Sequence, residues 1–403
     1  MKKYIILVAM ALVISASACQ NDKYIANVTD LRLVRIDPGS GYSGGIVKVL
    51  GRNFSDKAKE NIVLVGGKQA KVLDANQWDL TIVLPENEPG EYDVQVSAPA
   101  GEAAGIKFLY KEKPEHIYLA SIYAGKAGTN STEDGVGTAA LLSFPEGLIP
   151  AGNDSWYILQ RGNFAVRRMD AFGKITTVNT TGTALSHPWH GAMSPSGELY
   201  FCNKSSNLLV KMNNAGVVST VSGLTLKDPM AVTFGPDGFG YLANRGTDGG
   251  QVIKFKDDAV VKTYGAPMPT CVSVDAAGRV LIGTNSSGYL YMLDKDGNIS
   301  KIAGEGNVKG DKGDGVPGDL IDKSTIGMVN GIWCAKDGAV YFCDVTALSV
   351  RKLTPDSEGD YSKGRLETIC SGFYPSDIVV SEDCSKIFVT SATTHTIRLI
   401  EII

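Results

Sequence analysis

Residues 187–203 read HPWHGAMSPSGELYFCN. An apolar run, a turn built on Ser-Gly, and a second apolar run ending on a polar residue make two short strands and a tight turn. The phrase returns as FPEGLIPAGNDSWYILQ (144–160), DPMAVTFGPDGFGYLAN (228–244) and MPTCVSVDAAGRVLIGT (268–284). It returns again as VNGIWCAKDGAVYFCD (329–344) and YPSDIVVSEDCSKIFVT (374–390). A third strand follows each copy: AVRRM, LLVKM, QVIKF, LYMLD, SVRKL and TIRLI. Most copies add a fourth, such as VVSTV or ISKIAG. Six copies over residues 115–403 are about 48 residues apiece. Four strands per unit of that size predict a six-bladed β-propeller.

The sixth copy carries no fourth strand before Ile403. The stretch HIYLASIYAG (116–125) at the front is the expected replacement, and it would close the ring and leave only short edges. Two enlarged connectors, AGKAGTNSTEDG (124–135) and AGEGNVKGDKGDG (303–315), are then one device used twice. Each is expected to leave an outermost strand and lead to the next blade's innermost one. The pattern AG…G…DG…A…F…P…G resembles the NHL-repeat propellers. DKGDGVPGD (311–319) lacks the closing glutamate and spacing of an EF-hand, so a solvated loop is expected there instead of a calcium site.

Residues 27–111 form a separate unit. Short alternating β runs are cut by Gly, Pro and Asn turns, with Val94 and Val96 expected on one face and Gln95 on the other. Four features carry a resemblance to the IPT/TIG domains, which are immunoglobulin-like sandwiches. They are Pro38 with Ser40-Gly41, Gly51-x-Asn53-Phe54, Gly66-Gly67, and Pro85 with Gly90 before the last long strand. That family serves mostly as a spacer or interaction module and implies no chemistry. The fold class is therefore all-β: a sandwich followed by a propeller. KEKPEH (111–116) joins them.

The first residues depart from this pattern. Lys2 and Lys3 precede an apolar run from Tyr4 to Ile14, and SASAC ends at Cys19. A basic start, a run too short to span a bilayer and small residues at the cut site make residues 1–19 an export signal. Ending on cysteine resembles a bacterial lipobox, relaxed to Ala16 at the usual Leu position as in Bacteroidetes. The resemblance implies lipidation of Cys19 and an outer-membrane anchor facing the extracellular side. The formal net charge is −4, and no basic run follows the signal, which argues against nucleic acid as a partner. Six cysteines remain beyond Cys19, without a CxxC. Cys202 and Cys343 sit in matching phrases and read as small buried fillers. Cys334 and Cys343 flank a predicted hairpin turn, where a disulfide and two free thiols are both open readings.

In a propeller, the connectors into the innermost strands and the loops after the second strands share one face. That face should carry Glu146, Trp189, His190, Asn330 and Asp377 near the axis. Asn203, Asn244, Arg245, Asn285, Asp344 and His395 come from the other loops. A concave polar centre is where ligands usually bind. The expected ligand-binding set is Trp189, His190, Asn203, Asn244, Arg245, Asn330 and Asp377, with Trp189 stacking a sugar ring or else packing between blades. The peptide-amidating lyases of NHL type hold zinc with three histidines, but here His187 and His190 share one connector and His395 lies in another loop. Gluconolactonase-like propellers hold calcium with axial Glu, Asn and Asp. Glu146, Asn330 and Asp377 fit that pattern, whereas Trp189, Met230 and Thr270 do not. No catalytic or metal residue and no cofactor is therefore assigned. The expectation is a surface lipoprotein resembling those beside Bacteroidetes glycan-uptake machinery, a monomer or part of such a complex. Its partner is an extracellular glycan ahead of a surface protein, and a metal-dependent propeller enzyme or a protein-binding adhesin is the alternative.

Overall fold

A computed structural model describes residues 30–111, 118–246, 249–284, 287–306, 310 and 312–402. The signal segment with Cys19, most of the linker with His116, and Asn285 lie outside the described residues. The chain divides into two compact units, residues 1–113 and 114–403.

The first unit is a β-sandwich. One layer orders Arg32–Asp37, Ile46–Arg52, Asp79–Val83 and Lys68–Ala75, and the other Ile62–Val65, Gly90–Ala98 and Gly101–Tyr110. Val94 and Val96 are buried while Gln95 is exposed, as the alternation predicts. Gly51 has no room for a side chain, since an added Cβ would stand 2.2 Å from the Arg32 carbonyl and 2.4 Å from the Phe54 ring. Gly66 and Gly67 both take positive φ and turn Ile62–Val65 back into Lys68–Ala75.

The second unit is a six-bladed β-propeller. The innermost strands of blades I to VI are Pro145–Pro150, Pro188–Met193, Pro229–Phe234, Pro269–Val274, Val329–Cys334 and Ile378–Val380. The second strands of blades II to V are buried at every residue. Each blade packs against two neighbours, so both faces of these strands are covered. This explains apolar runs such as YFC in place of alternation. Blades I and II gain a fifth, two-residue strand at the outer edge, Gly135–Val136 and Thr181–Gly182, beyond the four expected.

Blade VI is closed by the front of the unit. Tyr118–Gly125 pairs antiparallel with Thr396–Ile402, with Ile397 opposite Ala124 and Leu399 opposite Ser121. The two enlarged connectors run as expected from an outermost strand to the next innermost one. Their described residues run over the surface, with Lys312, Pro317 and Asp319 exposed as the solvated-loop reading expects, but each connector is tied to its blade at defined points. Gly135–Val136 pairs with Lys174–Thr177 of blade I, and Asp314 and Pro317 bridge to Leu366 and Arg365 of blade V. Ala140, Leu142, Leu320 and Ile326 are buried beneath them. Asp314 is buried, and its Oδ1 accepts from Arg351 and Thr368.

The cysteine alternatives also resolve. Cys334 lies opposite Val340, whereas Cys343 sits further up the partner strand, opposite Val350 on its other side. All six described cysteines are free. Cys202 and Cys343 are fully buried, and burial pushes both thiols up.

Candidate functional site

The innermost strands share a register irregularity at their upper ends, the ends that receive the connectors. The pairing skips Glu146 in blade I, Trp189 and His190 in II, Met230 in III, Thr270 in IV, and Asn330 with Gly331 in V. A bulge re-aims the side chain it carries. The device recurs around the propeller's hub with different outcomes: it turns His190 to the axial cavity and Trp189 to the mouth, whereas Met230 and Thr270 are buried, Thr270 Oγ1 donating to the Val329 carbonyl of blade V. Phe144, His187, Asp228 and Met268 lead into four of these strands with φ of 42–52°.

Two cavities border blade II. The axial one, about 230 Å³, is lined by His190 and Asp377 among mostly apolar residues such as Leu148, Cys271 and Ile332. The other, about 400 Å³, lies at the mouth and is lined by Arg161, His187, Trp189, Lys204, Asn207 and Asp228, with Ser205. Trp189 borders one cavity and His190 the other, and their rings stack at 6.0 Å. Trp189 is half-buried against the cores of neighbouring blades, so it both packs and faces a cavity. Lys204 Nζ lies 4.5 Å from its ring centroid and Arg161 Cζ 5.8 Å away. A sugar ring stacking there would have to displace Lys204.

Three buried polar atoms at this hub have no hydrogen-bond partner: Glu146 Oε2, Trp189 Nε1 and His190 Nε2. Glu146 uses only Oε1, which accepts from Arg161 Nε at 2.7 Å. Burial pushes its carboxyl up, against the pull of Arg161, His190 and Lys204. Asp377 is likewise pushed up by burial, although its oxygens accept from the Leu148 and Ile378 amides, each at 2.9 Å.

The expected site residues therefore separate. His190 and Asp377 line the axial cavity together, and Trp189, stacked on His190, lines the mouth. Asn203 is corrected: its Oδ1 accepts from Ser186 N at 2.6 Å and its Nδ2 donates to the Ala184 carbonyl at 2.9 Å, so both ends hold a connector. Asn244 is corrected likewise, accepting from Lys227 N, and Asp344 accepts from Gly327 N in blade V. These residues end the second strands and pin the chain returning above them. Arg245 is ion-paired to Asp228 at 2.7 Å on the rim. Asn330 is buried in its bulge and lines neither cavity. His395 accepts from Phe144 N at 3.2 Å, which is a structural role. Among the described residues no cluster of three or more His, Cys, Asp or Glu is placed to hold a metal ion.

Sequence reasoning missed Arg161 and Lys204. The signal was present: both, like Arg245, directly follow the last residue of a second strand. A larger cleft of about 940 Å³ opens at the other end, between blades VI and I, with Trp156, Trp333 and Phe388 in its wall. None of the buried unpartnered polar atoms belongs to it.

Comparison with known proteins places this geometry among related folds. Residues 31–110 match the IPT/TIG domain family. A stretch of 157 residues is 26% identical to mouse Fibrocystin-L, covering 37% of this chain but only 4% of that protein's length. Among solved structures, an auxiliary nutrient binding protein from Bacteroides thetaiotaomicron superposes with a TM-score of 0.58 at 17% identity. The match covers 93% of this chain and 98% of that one. Its counterpart from Bacteroides ovatus gives 0.57 at 18%, again over 93% and 98%. A putative gluconolactonase gives 0.52 at 12%, over 72% and 94%. At such identities the likeness is one of fold.

Proposed function

We propose that this chain is a lipid-anchored outer-membrane protein whose upper propeller face binds an extracellular glycan without altering it. The carrying observation is the pair of unpartnered buried atoms on Trp189 and His190, each of which lines a cavity, with Glu146 Oε2 also unpartnered though Glu146 lines neither. A buried polar group without a partner costs about 1–3 kcal/mol. A ligand rich in hydroxyls relieves that cost, because each hydroxyl both donates to a carboxylate and accepts from an indole N–H. The fold shared with auxiliary nutrient binding proteins supports a binding role, and in this reading the sandwich unit is a spacer and the propeller, of NHL type, carries the site. A monomer, or one member of an uptake complex, fits this reading. Screening residues 20–403 against a glycan array tests it: binding to a defined glycan is expected, and a blank array with capture of surface proteins instead would point to an adhesin.

A second reading is favoured by Glu146 and Asp377, two carboxyls that burial pushes up at the hub, since such groups serve as general acids. Incubating an array hit with the protein and looking for shortened or unsaturated products by mass spectrometry separates the two readings. Intact glycan supports binding alone.

A further inference from the structure

The cations of the upper face are distributed unevenly. In blades I, II and III, the residue after the second strand is Arg161, Lys204 and Arg245. The corresponding residues of blades IV, V and VI are Asn285, Val345 and Ala392. Three consecutive blades thus set a cation at one register, in a chain whose net charge is negative. Two carboxylates answer them. Glu146 takes Arg161 through Nε alone, and Asp228 takes Arg245 at 2.7 Å and Lys204 at 3.6 Å. The terminal nitrogens of Arg161 donate no hydrogen bond among the described residues, and neither does Lys204 Nζ. Both cations flank the Trp189 ring, whose indole N–H is an unpartnered buried donor. Three cations against two carboxylates leave an excess of positive charge and of donors on one side of the mouth.

We infer that this arc over blades I–III takes an anionic saccharide, with a carboxylate or sulfate group held by Arg161 and Lys204 beside Trp189. This rests on the glycan-binding reading and specifies its ligand. Guanidinium and ammonium donors to an anionic oxygen make the stronger class of hydrogen bond. Glu146 keeps Arg161 in place through Nε while the outward edge of its fork stays free for the ligand.

The experiment titrates residues 20–403 at low and high salt with four probes. They are an oligogalacturonate, its full methyl ester, a sulfated heparin-derived hexasaccharide, and poly-glutamate as an anion without sugar. Binding of either acidic saccharide but not the ester, weakening with salt, is expected, and which one binds identifies the anionic group. Lys204→Gln should lower that affinity about tenfold, the loss of one charge-assisted bond. Lys336→Gln, at the other end of the propeller, should leave it unchanged. Equal binding of the ester and the acid overturns the charge inference while the glycan reading stands. Poly-glutamate matching the sugars overturns the glycan reading while the charge arc stands. Failure of both acidic saccharides at low salt, or an unchanged Lys204→Gln affinity, overturns the inference.

Discussion

Arg167 Nη2 donates to Asp134 Oδ1 at 2.9 Å, joining the third strand of blade I to the connector that passes above it. The same guanidinium also bonds the Leu141 and Glu133 carbonyls and Gln160. Blade V repeats the arrangement with Arg351, which bonds Asp314 and the Thr325 carbonyl. Both arginines are wholly buried. The duplicated Asp-Gly phrase of the two connectors is thus the counterpart of a buried cation below each.

Removing the carboxylate should therefore be more damaging than its partial exposure suggests. Asp134→Ala leaves a buried guanidinium without its charge partner, and with the carboxylate half open to solvent the cost should be about 1–3 kcal/mol. Urea unfolding of the variant should show that loss at unchanged m-value. A loss under about 0.5 kcal/mol would mean the remaining carbonyl bonds suffice.

Ring closure predicts a sharp difference between two truncations. Removing residues 1–112 deletes the sandwich and leaves the pairing of Tyr118–Gly125 with Thr396–Ile402 intact. Removing residues 1–126 also deletes that strand and exposes the edge of blade VI. The first form should keep its propeller melting transition and the second should lose several degrees or fail to fold. Identical melting curves would refute the closure argument.

Trp189→Phe separates packing from recognition. The ring keeps contact with the neighbouring blades while the unpartnered indole N–H disappears, so stability should hold within about 1 kcal/mol. Affinity for an array-identified glycan should fall by roughly 1–3 kcal/mol. Unchanged affinity would place Trp189 among the blade-packing residues only.

Glu146→Gln tests the buried carboxyl through pH. Its folded pKa lies above the ordinary 4.5, so the native state favours the protonated form. That contribution is fully present below pH 4.5 and is lost as pH rises through the folded value. Relative to wild type, the Gln variant should gain stability from pH 4.5 upward, measured by denaturant unfolding across that range. A constant difference at all pH values would show that the folded and unfolded carboxyls titrate alike, with Arg161 offsetting the burial.

Cys19→Ala addresses the anchor expected from the sequence. The variant should move from the membrane fraction to the soluble one after a salt wash. Continued partition with the outer membrane would refute lipidation at that residue.

The propeller was legible because its periodicity survives in every copy: strand, turn, strand, at matching intervals, with Ile397 and Leu399 visibly lacking a neighbour except the strand ending at Gly125. The site was legible only in part. Trp189, His190 and Asp377 stand out by their place in the connectors, but the bulge that aims Trp189 and His190 leaves no residue signature. Asn203 and Asn244 were read as ligand donors because a polar strand end looks solvated. In the fold that position lies under the returning chain, and the repetition of amide or carboxylate at Asn203, Asn244 and Asp344 marks a backbone partner. Nothing in the third-strand phrases AVRRM and SVRKL marks Arg167 and Arg351 as buried, since burial of a guanidinium depends on carbonyls from a distant connector.

The strand that closes blade VI emerges from the ribosome before any other part of the propeller, yet its partner, Thr396–Ile402, emerges last. During synthesis Tyr118–Gly125 must wait unpaired, its hydrogen-bonding edge open to any other strand that passes. The ring cannot be latched at an intermediate length, because five finished blades still lack their clasp. Such sequence separation makes the final step slow to find and cooperative once found. A chain interrupted late in its synthesis would therefore forfeit the closure of the whole ring, and not merely its last few residues.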